Sequence, residues 1–345
     1  MPTSLRQFLK VLPFNIFVWI LLVLYLGPVL FMIVTALMPT SQLDDKKAPL
    51  YPARIVPYTY DGQDYQLYNA PMENGIQPMA LIKPGRTSSL LIDPQHPENG
   101  LIEWQGDWRT LTGVYEFRIA WENFSHLFNS MPVLKMVGNT FMLVFVGELG
   151  VLGSSIIVAY GFARFSLPGG NFLFYVLIAT ILIPEKVTFI PTFYMYIKIL
   201  HWRETVLPLL VHLFFGNAVY IFLLRQNFKS FPVDLEEAAM LDGAGPLRRL
   251  FSVILPQAWP VVITVSLLHF FYTWNETRLA SLYLGSSSSW MPASFAVQNY
   301  QSLIPIQNVI EASTLIMLIV PVLILFLAQR YFMQGLVITG AENKQ

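Results

Sequence analysis

Titratable side chains stand at four positions inside long apolar stretches of the sequence, and each could act on a polar solute there. They are Glu148, His212, His269 and Glu311. A charge at membrane depth costs roughly 2.5–3.5 kcal/mol, so each side chain is a candidate for solute contact or translocation. The plainer alternatives are an interhelical hydrogen bond for Glu148 and both histidines, and a water-exposed helix end for Glu311. Their spacing indicates no metal site.

A second group of residues, between positions 232 and 256, favours docking rather than catalysis. Pro232 suits the first position of a helix, and three carboxylates would lie near the positive end of its dipole: Asp234, Glu236 and Glu237. Asp242-Gly243 predicts a stop and a turn, and the amphipathic stretch 246–255 predicts another short helix. Small residues at the bend would let a partner's backbone approach closely: Ala238, Ala239, Gly243, Ala244 and Gly245.

The alternative for the 232–256 segment is an amphipathic helix lying on the membrane surface. Such a helix needs a basic polar face, whereas the polar side of the first predicted helix is acidic. Anionic lipid would repel that face. Docking onto a protein is therefore favoured.

The composition excludes several kinds of chemistry. The chain has no cysteine, which excludes thiol catalysis, thiolate metal sites, iron–sulfur clusters and disulfides. It has no G-x-x-x-x-G-K-[ST] phosphate loop, so it does not hydrolyse ATP by that route. The 21 basic and 21 acidic residues cancel, which removes the charge signature of a nucleic-acid binder.

Six apolar blocks must position these residues. The chain of 345 residues is 54% hydrophobic and 12% charged, and a soluble protein carries roughly twice that charged fraction. Each block is about as long as a bilayer core requires. The blocks predict six transmembrane helices near residues 11–37, 137–161, 172–190, 206–224, 258–272 and 309–332. The first is longer than the apolar part of a signal peptide and is read as a retained helix.

The third block carries Ile183-Pro184 followed by Glu185-Lys186. Unwound backbone at membrane depth is tolerated mainly where it lines a cavity, so one interpretation is an interrupted span. The other is simple termination of the helix.

Basic residues predict the orientation, because Lys and Arg near span ends resist translocation. If Arg6 and Lys10 are cytoplasmic, then so are Arg164, the basic group between the fourth and fifth blocks, and Arg330 and Lys344. This distribution predicts a multi-pass protein of the cell inner membrane with both termini in the cytoplasm.

The first two blocks are separated by a polar stretch, residues 38–134, with 11 acidic and 7 basic residues. Runs at 80–83, 89–92 and 113–119 are bounded by turn residues and predict short strands. We therefore expect a β-rich extracytoplasmic insert, with a loosely ordered loop as the alternative. Its core is predicted from aromatic residues: Trp104, Trp108, Tyr115, Phe117 and Trp121.

Aromatic and amide side chains near the ends of the fourth and fifth blocks could line a path for a sugar. Stacking combined with hydrogen bonding is how polyols are usually held. Together with the two histidines, the candidates are His212, Asn217, Tyr220, His269, Tyr272, Trp274 and Asn275. The alternative is an aromatic belt at the membrane interface.

The 232–256 segment resembles the EAA loop of ABC importer permeases. The resemblance rests on Glu237-Ala238-Ala239, Asp242-Gly243-Ala244 and Leu255-Pro256, with Val253 where the pattern prefers Ile. Further stretches are similar to MalG-like subunits of carbohydrate importers: 159–165, Ile190-Pro191, 221–226, Trp274-Asn275-Glu276 and 330–336. The similarity covers about 1–37 and 120–340. The large insert is a departure from MalG-like subunits, although MalF-like partners often have one.

This resemblance implies an all-α polytopic protein of the MetI-like permease fold, divided into residues 1–37, the insert 38–134 and a permease core 135–345. It implies that the 232–256 segment is a coupling loop in a cleft of a separate ATPase subunit, where Glu237 pairs with a basic residue and Gly243 allows the bend. The implied partners are a MalF-like second permease, two ATPase subunits and an extracytoplasmic solute-binding protein. ATP and Mg would be bound by the ATPases, and this chain would bind no cofactor and catalyse no reaction.

The resemblance also implies transport of a sugar or sugar-like solute. One rival function is a permease of the same architecture for an osmolyte, phosphodiester or peptide. A secondary transporter driven by an ion gradient is a second rival, but the sequence has only scattered intramembrane charges without obvious partners. A membrane-anchored receptor is a third, disfavoured by six spans and an elaborate inner loop.

Overall fold

The computed structural model describes residues 3–72, 75–285, 288–303 and 306–341. The chain is mostly helical and divides into two compact units. The first comprises residues up to Met131 together with Leu303–Ile316, and the second comprises Pro132–Ser302 and the residues from Met317 onward.

The first unit contains three helices and eight strands before Met131. The helices are α1 (Thr3–Ala36), α2 (Thr40–Leu43) and α3 (Glu122–Ser130). The strands are β1 (Ala53–Ile55), β2 (Pro57–Tyr60), β3 (Gln63–Met72), β4 (Gly75–Lys83), β5 (Ser88–Ile92), β6 (Leu101–Gln105), β7 (Thr112–Gly113) and β8 (Tyr115–Phe117). The predicted β-rich insert is therefore present.

The strands form one larger sheet and one two-stranded ribbon. In the sheet the order is β2-β3-β4-β5-β6, with β7 paired to β3, and in the ribbon β1 pairs with β8. All of these pairings are antiparallel. Strands β2 to β6 are neighbours in chain order, whereas β1–β8 and β3–β7 pair strands that are distant in sequence.

The core of the insert differs from the predicted aromatic cluster. It consists of Tyr68, Ala70, Met79, Leu91 and Leu111, against which Trp104 and Trp108 are packed. Phe117 and Trp121 are 68% and 65% exposed, so their assignment to the core was wrong. Phe117 is the last residue of the short strand β8, and Trp121 directly precedes α3. Aromatic content alone does not reveal which of these residues the sheet covers.

Two asparagines join the helix ends of the first unit. The Asn123 side chain donates to the carbonyls of Ala36 and Met38, at 2.8 and 2.9 Å. The Asn308 side chain donates to the Met38 carbonyl and to Asn123 Oδ1, each at 2.9 Å, and lies 3.1 Å from Thr40 Oγ1. Asn123, Asn308 and Thr40 are called the Asn308 cluster below.

The described residues of the second unit form helices joined by turns and loops. Its helices are α4 (Val133–Arg164), α5 (Gly170–Ile181), α6 (Glu185–Tyr194), α7 (Leu207–Leu210), α8 (Ala218–Ser230), α9 (Asp234–Leu241), α10 (Pro246–Arg249), α11 (Leu255–Trp274), α12 (Arg278–Tyr283) and α13 (Ala293–Leu303). The final helix, α14 (Gln307–Ala341), begins in the first unit and continues in the second.

The main core of the second unit lies between α4, α8 and the chain from Leu250 onward. Val151, Ala159 and Tyr160 of α4 pack there against Leu224 and Phe228 of α8, and Leu250, Ile254, Ala258, Val262 and Val265 complete the cluster. A turn of π-helix over Leu250–Ile254 joins α10 to α11. The long helix α4 is thus held along much of its length.

Five helical segments are long and apolar enough to cross a membrane among the described residues: Leu12–Ala36, Val133–Arg164, Leu207–Ser230, Pro246–Trp274 and Gln307–Gln329. The predicted third span is instead two helical pieces, Gly170–Ile181 and Lys186–Ile199, bent by 93°. Pro184 lies at the break, where it disfavours the helical conformation of the residue before it. The described residues therefore contain five candidate spans, or six if the bent pair counts as one.

The predicted fourth span also departs from a straight helix. After α7 a 3-10 segment runs over Val211–Phe215, and Gly216 then adopts a φ of +78°. Asn217 caps the following helix, because its Oδ1 accepts from the backbone N–H groups of Val219 and Tyr220. A left-handed glycine followed by an N-capping asparagine restarts the helix in a new direction.

Candidate coupling segment and solute cavity

The 232–256 segment folds as a short helix, a turn and a second short helix. The first helix, α9, begins at Asp234, so Pro232 precedes it instead of occupying its first position. Asp234, Glu236 and Glu237 lie in its first turn, where the helix dipole favours negative charge. The second helix, α10, continues through the π-helical turn into α11.

The turn depends on Gly243, which has a φ of +76°. The N–H of Gly243 donates to the Met240 carbonyl, and the N–H of Ala244 donates to the Ala239 carbonyl. These bonds provide partners for carbonyl groups at the end of α9. A Cβ built on Gly243 would meet nothing within 4 Å. Within this chain, glycine is therefore required for its backbone conformation and not for space.

The outer surface of the segment is rich in exposed apolar and small side chains. Leu241 is 91% exposed and Leu247 is 63% exposed. Of the residues that match the EAA pattern, Glu237, Ala238, Asp242, Gly243 and Pro256 are exposed, whereas Ala239, Ala244 and Leu255 are partly buried. A membrane protein that exposes such a surface beside acidic groups has a surface suited to another protein.

Glu236 behaves differently from its two acidic neighbours. It is only 4% exposed, and its Oε1 lies 2.5 Å from Arg164 Nε at the end of α4. Its Oε2 accepts a hydrogen bond of 2.9 Å from the Tyr160 hydroxyl. Tyr160, Arg164 and Glu236 are called the Glu236 cluster below. The sequence predicted Arg164 as a cytoplasmic charge within the family-like stretch 159–165, but it did not predict the pairing with Glu236, because nothing local links residues so far apart.

A second arginine is buried at the same end of α4. Arg225 of α8 donates from Nε to the Phe162 carbonyl at 3.2 Å, and its guanidinium lies 3.8 Å above the ring of Phe174. The hydrogen bond and the cation–π contact join α4, α5 and α8. Both arginines therefore hold helix ends together.

A cavity of about 300 Å³ lies within the second unit. Five of the seven predicted path residues line it: His212, Asn217, Tyr220, His269 and Tyr272. Further lining residues were not predicted, among them Thr188, Phe189, Thr192, Tyr196, Arg278 and Tyr283. Thr188 and Thr192 are four residues apart on α6, so the bend after α5 brings one face of α6 to the cavity.

Trp274 and Asn275 do not line this cavity. Trp274 is 1% exposed, stacks on Phe270 and donates from Nε1 to the Met317 carbonyl at 3.1 Å. Asn275 donates to the Phe271 carbonyl at 2.8 Å and caps α11. Both side chains have local structural partners, which the spacing of aromatic and amide residues does not reveal.

Glu148 and His269 lie close together between α4 and α11, with Oε2 and Nε2 3.8 Å apart. The ring of His269 also contacts Tyr220 edge-on, at 6.3 Å between centroids. Gly147 permits this approach, because a Cβ there would lie 3.0 Å from His269 Nε2. Glu311, the fourth candidate, is partly buried near the start of α14 in the first unit. No group of metal-binding side chains occurs among the described residues.

These features define a class of protein: a polytopic protein whose apolar helices are long enough to cross a membrane, with an exposed helix–turn–helix segment and a cavity lined by aromatic and polar side chains. Residues 152–337 match the binding-protein-dependent transport system inner membrane component family, and the chain belongs to that family. It is thus a multi-pass inner membrane permease subunit of an ABC importer. Such a subunit works with a partner permease, separate ATPase subunits and a binding protein.

Two relatives support this membership. The sn-glycerol-3-phosphate transport system permease protein UgpE of Yersinia pestis is 31% identical over 229 residues, which is 63% of this chain and 79% of the relative. The osmoprotective compounds uptake permease protein GgtD of Synechocystis is 26% identical over 281 residues, 79% of this chain and 92% of the relative. The resemblance to ABC importer permeases is confirmed.

A solved structure supports the fold. The match is to a chain of a bacterial ABC transporter involved in the import of the acidic polysaccharide alginate, with a TM-score of 0.62 at 19% identity. It covers 96% of this chain and 99% of the matched chain. The similarity therefore extends over the insert as well as the helices.

Proposed function

We propose that this chain forms half of the translocation path of an ATP-driven importer for a sugar or sugar-like solute, delivered by an external binding protein. The observation that carries the proposal is the cavity of the second unit, whose lining combines aromatic rings with hydroxyl, amide and imidazole groups. Rings for stacking and polar groups for hydrogen bonding suit a polyhydroxylated solute. The similarity to the sn-glycerol-3-phosphate permease protein UgpE is consistent with it, whereas the similarity to the osmoprotective compounds permease protein GgtD favours the alternative cargo.

In this proposal the 232–256 segment is the coupling loop. An ATPase subunit receives α9 and the turn at Gly243, and a basic residue of that subunit pairs with Glu237. When the ATPases close on ATP, the loop moves and the two permease halves rock between inward-open and outward-open states. The exposed apolar side chains of Leu241 and Leu247 supply contact area for that partner.

The proposal includes a topology. The bent pair α5–α6 acts as one interrupted span, which makes six spans, places both termini in the cytoplasm and leaves the insert outside. The cysteine-free sequence allows single-cysteine labelling without background from this chain. Gln95→Cys in the insert should react with an impermeant maleimide from outside, and Ser252→Cys should react only after permeabilisation. Both positions are exposed. The reverse pattern would contradict the topology.

A test of the cavity uses two tyrosines that differ in position. Tyr272 lines the cavity, whereas the exposed Tyr175 of α5 does not. In the reconstituted complex, Tyr272→Leu should raise the KM for solute uptake about tenfold through lost stacking. Tyr272→Phe, which keeps the ring, and the control Tyr175→Leu should leave KM nearly unchanged. Equal effects of Tyr272→Leu and Tyr175→Leu would remove the cavity from the path.

A solute screen distinguishes the alternative cargoes. The complete complex in lipid vesicles is supplied with a binding protein loaded with a neutral sugar, a sugar phosphate or a zwitterionic osmolyte, and ATP hydrolysis is measured. The proposal expects stimulation by a sugar or sugar phosphate. Stimulation by the osmolyte alone would favour the alternative cargo. The relative from Synechocystis is named for the uptake of such osmoprotective compounds.

A further inference from the structure

The Glu236 cluster connects the docking segment to the longest helix of the second unit. Arg164 is the last residue of α4, and it interacts with the segment in two ways. Its Nε faces the Glu236 carboxylate at 2.5 Å, and its Nη2 donates to the Phe231 carbonyl at 3.0 Å, just before the segment begins. One side chain of α4 thus binds both the approach to α9 and its first turn.

The surroundings of this connection are largely closed to solvent. The Arg164 and Glu236 side chains are only 10% and 6% exposed, so solvent screens their attraction weakly. The Tyr160 hydroxyl, one turn earlier in α4, binds the second carboxylate oxygen at 2.9 Å. By contrast, Asp234 and Glu237 in the same turn of α9 are exposed. Only Glu236 among the acidic residues of α9 is directed into the permease.

The helix α4 also reaches the cavity. It has no internal proline, and Val151 on it lines the cavity about 20 Å from Arg164 at roughly 1.5 Å per residue. Near the same level, Gly147 closely approaches the side chains of Leu213 and His269. A displacement of the Arg164 end would therefore be transmitted along one continuous helix to the cavity wall.

The helix α9 has only eight residues, and a helix of that length is not stable by itself. The turn at Gly243 follows it, and a non-helical stretch precedes it. Without the contact to α4, a push on α9 could be absorbed by these two flanks. The ion pair instead makes α9 move with the end of α4.

We propose that Glu236 and Arg164 are the positioning pair that transmits movement of the 232–256 segment to α4, and through α4 to the solute cavity. This inference rests on the proposed function, in which an ATPase subunit moves that segment. Glu237 serves the partner side of the segment and Glu236 serves the permease side. Two adjacent glutamates thus have opposite tasks.

The experiment compares these glutamates in the complete complex, with its partner permease and ATPases, reconstituted in lipid vesicles. Glu236→Gln preserves size and the contact with Tyr160 while removing the charge. It should leave ATPase association and hydrolysis intact and reduce the solute transported per ATP about tenfold. The matched control Glu237→Gln should weaken ATPase association, and the complexes that remain assembled should transport a normal amount of solute per ATP.

A second pair of variants covers the case in which Glu236→Gln fails to assemble because Arg164 is left buried without its partner. Replacing both residues, as Arg164→Met with Glu236→Leu, removes the charges but keeps apolar packing. This double variant should assemble yet transport little per ATP. The charge exchange Arg164→Glu with Glu236→Arg should restore a substantial part of the coupling.

A covalent bridge between the two positions tests whether the contact transmits movement or only stabilises the fold. The quantity measured is the solute transported per ATP. Arg164→Cys with Glu236→Cys should be uncoupled until a short bis-maleimide joins the two positions, in complexes whose partner chains lack reactive cysteines. Cross-linking should then recover transport per ATP without altering the amount of assembled complex.

Two results separate the failure of this inference from the failure of the proposed function. Absence of ATP-dependent uptake by the unaltered complex would overturn both. Normal uptake by the unaltered complex, combined with normal transport per ATP in Glu236→Gln or in the Met/Leu double variant, would overturn the positioning pair alone. Loss of ATPase association in an assembled Glu236→Gln permease would also contradict it.

Discussion

The Glu236 cluster and the Asn308 cluster both hold helix ends together, but they do so with different chemical groups. Each cluster joins helix ends that are distant in sequence. The Glu236 cluster lies in the second unit, and the Asn308 cluster lies in the first unit. The Glu236 cluster uses a guanidinium, a carboxylate and a phenol. The Asn308 cluster uses two neutral amides and a hydroxyl, and two of its acceptors are main-chain carbonyls, those of Ala36 and Met38.

The difference concerns what each cluster loses when one partner is removed. Neutral hydrogen bonds contribute about 0.5–1.5 kcal/mol each, and their loss leaves amide or carbonyl groups unsatisfied. A buried ion pair adds little net stability. Removal of one partner, however, leaves the other charge buried and unpaired, which costs about 3–5 kcal/mol. The neutral cluster is suited to holding a fixed junction. The charged cluster makes its two helices strongly dependent on each other beside a surface that a partner would move.

The largest effect is expected at the turn beside the charged cluster. Gly243→Val places a β-branched residue at a φ of +76°, which such residues rarely adopt. Transport should be abolished, and the ATPase should no longer copurify, while the chain still inserts into the membrane. The matched control is Gly153→Val on α4, outside the segment, because Gly153 does not have a left-handed φ and a Cβ there would meet nothing within 4 Å. Normal uptake and copurification for Gly243→Val would contradict the docking assignment.

Arg164→Ala should produce the next largest effect, because it removes the cation that lies 2.5 Å from the buried Glu236 carboxylate, although Arg249, which interacts with Tyr160, remains. The expected loss of stability is about 3–5 kcal/mol. Thermal unfolding of the purified permease pair in detergent measures it. A comparable exposed pair, Arg118 with Glu122, supplies the control, and Arg118→Ala should have little effect. A small shift for Arg164→Ala would mean that water already reaches the cluster.

Asn308→Ala should destabilise the complex less than Arg164→Ala. It removes the donor to the Met38 carbonyl and to Asn123 Oδ1, and the expected cost is about 1–3 kcal/mol. The same unfolding measurement applies, and transport per ATP in the surviving complexes should remain normal. A change in transport per ATP would show that the neutral cluster also takes part in coupling.

Removal of the sheet should have the smallest effect on assembly. Ile55 pairs with Tyr115, and the Val56 N–H donates to the Val114 carbonyl, so residues 57–113 can be replaced by Asn-Gly to close β1 and β8 as a tight hairpin. The Asn308 cluster remains, and ATPase association should be preserved. Stimulation of ATP hydrolysis by the loaded binding protein should fall, because contact area for docking is lost. An unchanged half-saturation point and maximum would exclude a docking task for the sheet.

Local patterns predicted much of the fold. The apolar blocks predicted the positions of the membrane helices, because their length and composition meet the requirement of a bilayer core. The turn at Gly243 was predictable because only a few residue types tolerate its backbone conformation. Runs bounded by turn residues predicted strands at 80–83, 89–92 and 113–119, where the structure has β4, β5 and the strands β7 and β8. The core of the insert was not predicted correctly, because Phe117 and Trp121 are exposed.

The candidate sites were predicted only in part. His212, Tyr220 and His269 were predicted as path residues because they are polar groups within apolar blocks. The structure brings them to one cavity. Thr188 and Thr192 reach that cavity only because the chain bends by 93° after α5. Pro184 signalled an interruption, but a proline does not specify the direction of the chain beyond it.

By itself the sequence determined where the chain becomes apolar, where it turns and which loop is exposed, since each property depends on residues close together along the chain. Only the tertiary structure decided that Glu236 faces Arg164 while its neighbour Glu237 remains exposed. Two adjacent glutamates have the same intrinsic preferences, and the packing of α9 against α4 chooses which is buried. Long-range electrostatic pairing depends on that packing, because attraction acts over the few ångströms that separate side chains in space.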